Sequence, residues 1–286
     1  MSAGGTVFRG LPPGRDCPEV LVAEHTLVRA RHAGEFPGGL GDVGEELWHA
    51  LASAAGPVTV VELALRLALP AGVVKVLVSH LVDARLVEVS AVRPGRAVLE
   101  AALGERDGGV GLAAVKIVVV GGPSSGTTTL LGAASTVPPV AVGERLPAPG
   151  GRVTTTVREW GRFPLDGGVE GVLAAAHVSA DARPAWWDDL GLWRGASGAV
   201  VMVHPARWEE SCPAVDWLEE RGLPYAVGVD ALPGTVLPDA GRVREMLRTD
   251  GDTPVVLTDV RSPESARFLL RDALRHAARA AAGGAW

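Results

Sequence analysis

Cysteine, lysine and long apolar runs are what this 286-residue chain has least of. Its two cysteines, Cys17 and Cys212, lie far apart and show no metal-ligand spacing. Neither a disulfide framework nor a zinc module is encoded, and a reducing, cytoplasmic setting is the simpler expectation. No apolar stretch reaches the roughly 20 residues needed to span a bilayer. Residues 58–69 come nearest, and Glu62 and Arg66 interrupt them. The opening MSAGGTVFRG lacks the apolar core of a signal peptide. The expected location is therefore cytoplasmic, with any membrane association made through partners. Excess positive charge is missing too: the formal net charge is −6, which argues against broad binding to nucleic acid or anionic lipid. The seven histidines form no H-x-x-x-H pair, so the commonest helical zinc signature is absent. Hydrolytic chemistry of the Ser/His/Asp or metal type finds little support.

What is present is a globular chain, 47% hydrophobic and 21% charged, long enough to bury a sizeable core. Ala, Gly, Val and Arg are used heavily, the coding pattern of a high-GC genome. Residues 1–36 read as a partly ordered N-terminal segment in which VLVAEHTLVRA (20–30) is a short strand or helix. Residues 37–95 read as a small winged-helix-like domain. Val43, Leu47, Ala50, Leu51 and Ala54 have helical spacing. Thr59 and Glu62 form a capping-box pair before a second helix. Val73, Val74, Leu77, Val78, Leu81 and Val82 mark a third, and Leu86–Val89 a strand with a turn at 93–96. Between Leu40 and Val92 six acids stand against three bases, a poor footing for phosphate contacts. The third helix offers only Lys75, Ser79, His80 and Arg85 to a DNA surface. Protein docking is the better expectation for this unit. Residues 96–113 read as a connector with a short helix at 97–103, and the domain boundary is expected near 110.

From residue 114 to 286 short apolar strands alternate with amphipathic helices, which predicts a mostly parallel six-stranded sheet with helices on both faces. Residues 154–160 and 169–177 read as a hairpin pair. The centre of this part is VKIVVVGGPSSGTTTLL (115–131), an apolar strand turning through a Gly-rich loop into a helix. Gly121 and Gly126 have the spacing of G-x-x-x-x-G, and Thr128 stands where a magnesium-binding hydroxyl belongs. The lysine expected between them is Thr127. Such a loop can still aim its amides at an anion.

With this loop and this order of elements, the chain resembles the Ras-like small GTPases and, more closely, the GTP-binding proteins of actinobacterial conservon operons. VKIVVVGGPSSGTTTLLGAAS, TTTV, WWDDL…RGASGAVV, CPAVDWLEERGLPYAVGV and PVVLTDVRSPES carry that resemblance. Residues 20–92, with LPAGVVKVLVSHLVDARLVEV, resemble the small winged-helix protein (domain of unknown function 742 type) encoded beside such a GTPase. The chain looks like the two fused. The resemblance implies a Ras-like P-loop fold, GTP or GDP with magnesium, and two partners: a roadblock-type dimeric regulator and a sensor-kinase-like protein. Carried over residue by residue, the nucleotide would meet Gly121, Ser124, Ser125, Gly126, Thr127, Thr128, Thr129 and Asp230. Magnesium would fall to Thr128 and to Thr155, with Thr154 and Thr156 as neighbours of the same kind.

Four motifs depart from the family pattern. Thr127 replaces the lysine. Thr154–Thr156 read equally as β-branched strand residues. The second-switch stretch reads Ala176-His177-Val178-Ser179-Ala180, without the glycine and glutamine that sense phosphate and orient water. Asp230-Ala231-Leu232-Pro233 replaces Asn-Lys-x-Asp, so proline stands where a carboxylate reads the base. Asp230 takes the asparagine position, and Thr258-Asp259-Val260 the last base-contact loop. No catalytic residue is assigned, with His177 and Asp181 reading as polar surface. Trp186, Trp187 and Trp193 cluster after the second-switch region and read as interface or core alike. Three readings stand at this point: a degenerate GTPase-fold docking module, a GTP-dependent switch with slow hydrolysis, and a winged-helix DNA-binding regulator.

Overall fold

A computed structural model describes residues 22–31, 36, 40–90, 95–105, 112–147, 153–177, 192–231, 234 and 237–282. The chain divides into two compact units, Met1–Val92 and Arg93–Trp286.

Among its described residues the first unit packs three helices on a three-stranded antiparallel sheet. Its elements are β1 (Leu27–Ala30), α1 (Gly41–Ala52), β2 (Val58–Thr59), α2 (Val60–Arg66), α3 (Ala71–Asp83) and β3 (Val87–Val89). The capping box forms as the sequence predicts. The Glu62 amide donates to Thr59 Oγ1 at 3.2 Å, and the Thr59 amide donates to Glu62 Oε2 at 2.6 Å. Leu47, Trp48 and Leu51 of α1 meet Leu63 of α2 and Val74, Val78 and Leu81 of α3 in one core. The sheet differs from expectation. Its order is β2-β1-β3, so the central strand comes from the segment that reads as a partly ordered lead-in. Val28 pairs with both Val58 and Val89. On α3, the Ser79 hydroxyl donates to the Lys75 carbonyl at 2.9 Å, and Lys75 Nζ lies 3.4 Å from Glu24 Oε1. Two of the four polar groups open to a DNA reading are thus engaged internally. Residues 91–94, including the first half of the expected turn, lie outside the described residues, and Arg96 opens a helix.

That helix, α4 (Arg96–Ala102), relocates the boundary. Leu99, Ala101 and Ala102 are buried in the core of the second unit, beside Val115 and Leu270. A connector would leave these side chains in water. The break therefore falls at 92/93, not near 110.

The second unit continues with β4 (Ala113–Gly121), α5 (Thr127–Ala134), β5 (Val140–Pro147), β6 (Val153–Pro164), β7 (Val169–His177), β8 (Ala196–Val203), α6 (Cys212–Glu219), β9 (Tyr225–Asp230), α7 (Ala240–Leu247), β10 (Val255–Thr258) and α8 (Pro263–Ala282). The sheet order is β10-β9-β8-β4-β7-β6-β5. The five strands from β10 to β7 are parallel, and β6 and β5 are antiparallel additions. This is the expected Ras-like α/β class, with seven strands rather than six among the described residues. The extra strand is β5, which pairs on one side only. One sheet face presents Val115, Ile117 and Val119 to α4, α5 and α8. On the other, α6 buries Ala214, Val215, Trp217 and Leu218. Lys116 alternates onto that second face and is 2% exposed. Its ammonium donates to the Arg194 carbonyl at 3.0 Å and lies 5.3 Å from the Trp160 ring centroid. The predicted helix at 184–194 falls mostly outside the described residues. Among the described residues no helix is long and apolar enough to cross a membrane.

Candidate functional site

In a parallel sheet, ligands gather beyond the carboxyl ends of the strands. At that end β4 turns through residues 121–126 into α5. The turn needs glycine at 121, at 122, where a Cβ would meet Glu210, and at 126. A Cβ on Gly121 would run into Ser125 Oγ and the Met202 carbonyl, and Gly126 caps α5 at φ +91°, a left-handed conformation that side chains disfavour. The Leu130 amide makes the first helical bond, to the Gly126 carbonyl at 2.8 Å. Earlier amides have no intrahelical acceptor and add their dipoles at the cleft.

Thr127 does not replace lysine in kind. It is 8% exposed, and its Oγ1 lies 3.1 Å from Ser125 Oγ. A lysine there would project a cation, whereas this threonine closes the loop on itself. The loop is also braced from behind. The Gly122 amide donates to Ser211 Oγ at 3.3 Å, and the Ser211 hydroxyl donates to the Met202 carbonyl at 2.9 Å. Arg207 Nη2 donates to the Pro123 carbonyl at 3.2 Å. Sequence reasoning misses this brace, because Ser211 stands before Cys212-Pro213 as an N-cap would. Its side chain makes no capping bond.

Asp230, the last residue of β9, closes the far wall. It is 4% exposed. The Val260 amide donates to its carboxylate, while Oδ1, itself buried, has no hydrogen-bond partner among the described residues. Burial pushes its pKa up, Arg261 and the Val260 amide oppose that, Asp259 reinforces it, and His204 opposes it weakly. Arg261 is shared with Asp259, Nη1 to Oδ1 at 3.4 Å. The resulting cleft holds about 330 Å³.

Gly121, Ser124, Ser125, Gly126, Thr127, Thr128, Thr129 and Asp230 all line this cleft, joined by Val260 and Arg261. Thr128 and Thr129 are exposed. Thr154, Thr155 and Thr156 lie on β6, opposite Leu146, Arg145 and Glu144 of β5. They are strand residues, two strands from β4. Thr258 is buried, and its hydroxyl donates to the Val256 carbonyl at 3.3 Å. His177 ends β7. Asp181, Trp186, Trp187 and Pro233 lie outside the described residues. Trp193 is half-buried. Among the described residues no group of three or more His, Cys, Asp or Glu is placed to hold a metal ion.

Residues 10–103 match a family described as a protein of unknown function, DUF742. No curated protein matches the chain. Among solved structures it is similar to the G domain of the T. maritima FeoB iron transporter, at 20% identity and TM-score 0.40, over 58% of this chain and 99% of that one. It is also similar to a GDP-bound mutant of S. thermophilus NFeoB, at 15% identity and TM-score 0.43, over 58% of this chain and 62% of that one. The FeoB G domain of Methanococcus jannaschii aligns at 14% identity and TM-score 0.40, over 58% and 98%. These distant likenesses do not reach function, and the fold assignment rests on the strand order and loop described above.

Proposed function

We propose that this chain is a regulatory docking protein built on a GTPase-type fold whose guanine-nucleotide machinery is degenerate. The observation that carries this is Thr127, buried and bonded to Ser125 where a lysine would neutralise phosphate. A hydrogen bond to a charged group is worth roughly 1.5–3 kcal/mol, so its loss weakens nucleotide binding at least tenfold. Asp230 adds to it, because it offers an acceptor where an asparagine would also donate. The donors present do not fit a magnesium-bound guanosine triphosphate. Surface contacts then supply the purpose, and the resemblance to conservon proteins supports a roadblock-type dimer and a sensor-kinase-like protein as partners. The winged-helix reading of residues 37–95 belongs here too, as a docking unit rather than a DNA reader.

Calorimetric titration with GTP and GDP plus magnesium, followed by a phosphate-release assay, tests the proposal. The expected result is no saturable heat at micromolar nucleotide and no release above background. Saturable micromolar binding with steady turnover overturns it in favour of a slow GTP switch, the reading that the intact loop geometry at Gly126 supports. Co-elution with a purified roadblock-type dimer tests the partner assignment separately.

A further inference from the structure

A cavity of about 610 Å³ lies at the amino ends of β9 and β10, at the opposite end of the strands from the 121–126 loop. Its volume is in the range of small-molecule sites. Leu223, Pro224 and Ala280 give it apolar lining. Arg248, just past α7, and Asp250 and Asp252, ahead of β10, give it charge of both signs. Opposite charges that line one cavity ordinarily pair. Among the described residues the Arg248 guanidinium makes no ion pair or hydrogen bond, and neither do the Asp250 and Asp252 carboxylates. The turn that carries the acids is fixed. The Thr253 amide donates to the Asp250 carbonyl at 3.2 Å, and Arg244 Nε donates to the Thr253 carbonyl at 2.9 Å.

Arg248 holds its place at a conformational cost. It caps α7 at φ +57°, a left-handed position where helix ends favour glycine. A guanidinium kept where glycine would be freer points to a use for the side chain. Beside it, burial lowers the pKa of His276, Asp252 opposes that, and Arg279 reinforces it. The imidazole is therefore neutral at pH 7 and offers both a donor and an acceptor. A plain anion entering this cavity meets two aspartates, and a plain cation meets arginine. A molecule with both charges satisfies each.

We propose that this cavity binds a small zwitterion with an apolar body, an α-amino acid or short peptide, its carboxylate on Arg248 and its ammonium on Asp250 and Asp252. The site is separate from the nucleotide loop, and the inference does not rest on the docking proposal.

The test titrates the full chain by calorimetry at pH 7 and low salt with four probes: L-leucine, the dipeptide Leu-Leu, N-acetyl-L-leucine and L-leucinamide. The last two each keep one charge of leucine and lose the other. At least one zwitterion is expected to bind about tenfold or more tighter than both single-charge analogues, since each lost bond to a charged group costs about that factor. The tighter of leucine and Leu-Leu distinguishes a free amino acid from a peptide, and either result supports the proposal. Arg248→Gly is expected to weaken zwitterion binding about tenfold or more while melting no lower than the wild type, because glycine adopts this conformation freely. No saturable binding by either zwitterion, equal binding by a single-charge analogue, or unchanged affinity in Arg248→Gly overturns the proposal. The wild-type comparison of the four probes decides even if the variant folds poorly.

Discussion

The two ends of the parallel strands make opposite use of buried polar groups. At the amino ends of β9 and β10 lies the larger cavity, about 610 Å³, lined in part by Glu219, Tyr225, Asp250, Thr253 and His276. Its buried tyrosine is paired: the Tyr225 hydroxyl donates to Glu219 Oε1 at 2.7 Å. Burial and that bond together push the phenol well above its ordinary range. The carboxyl-end cleft is about half the size, yet the buried Asp230 in its wall has one carboxylate oxygen without a hydrogen-bond partner among the described residues. Volume and polar satisfaction therefore separate. A buried polar group whose bonds are complete rigidifies its surroundings, whereas one left unpartnered costs stability.

The largest effect that would sharpen this contrast is expected from Gly121→Ala. The new methyl would meet the Met202 carbonyl, which is part of the sheet and cannot yield cheaply. Overpacking of this kind costs about 3 kcal/mol at its upper end. Urea unfolding should show that loss, and a loss under about 0.5 kcal/mol would mean the loop is looser than described. At the other end, Tyr225→Phe removes one hydrogen bond to a carboxylate and leaves shape intact. The expected loss is about 1.5 kcal/mol, read by the same method. A neutral result there would break the comparison, because it would show the larger cavity to be no better satisfied than the smaller.

Legibility followed the range of the interactions involved. The capping box at Thr59 and Glu62 spans three residues, and the apolar spacing of α3 is local, so both could be read directly. The strand β1 could not be, because LVRA becomes the sheet centre only by pairing with Val58 and Val89, residues distant in the chain. The strand β5 hides because Gly143 and Pro147 weaken its signal and it pairs on one side only. The helix α4 reads as connector, since its burial depends on packing against α8, more than 150 residues on. At the site, glycine spacing announced the loop and the family pattern pointed to Asp230. The brace from Ser211, and the buried, unpartnered oxygen of Asp230, depend on three-dimensional neighbours that no local pattern encodes.

The smallest expected effect has the opposite sign. Asp230→Asn should stabilise the free protein by about 1 kcal/mol at pH 7, because it removes a buried charge with one oxygen unsatisfied. Burial raises the folded-state pKa of Asp230 above its unfolded value, which lies near 3.9. Between those two values the folded state holds more protons than the unfolded one, so stability falls as pH rises through that window. The asparagine has no such proton to lose. The advantage of the variant should thus be nearly absent near pH 4, grow as pH rises, and level off above the folded-state value. Melting temperatures of the two proteins across pH 4 to 8 measure it. A constant difference over that range would mean that Asp230 is already neutralised by Arg261, and the cleft would then hold a satisfied ion pair like the paired tyrosine at the opposite end.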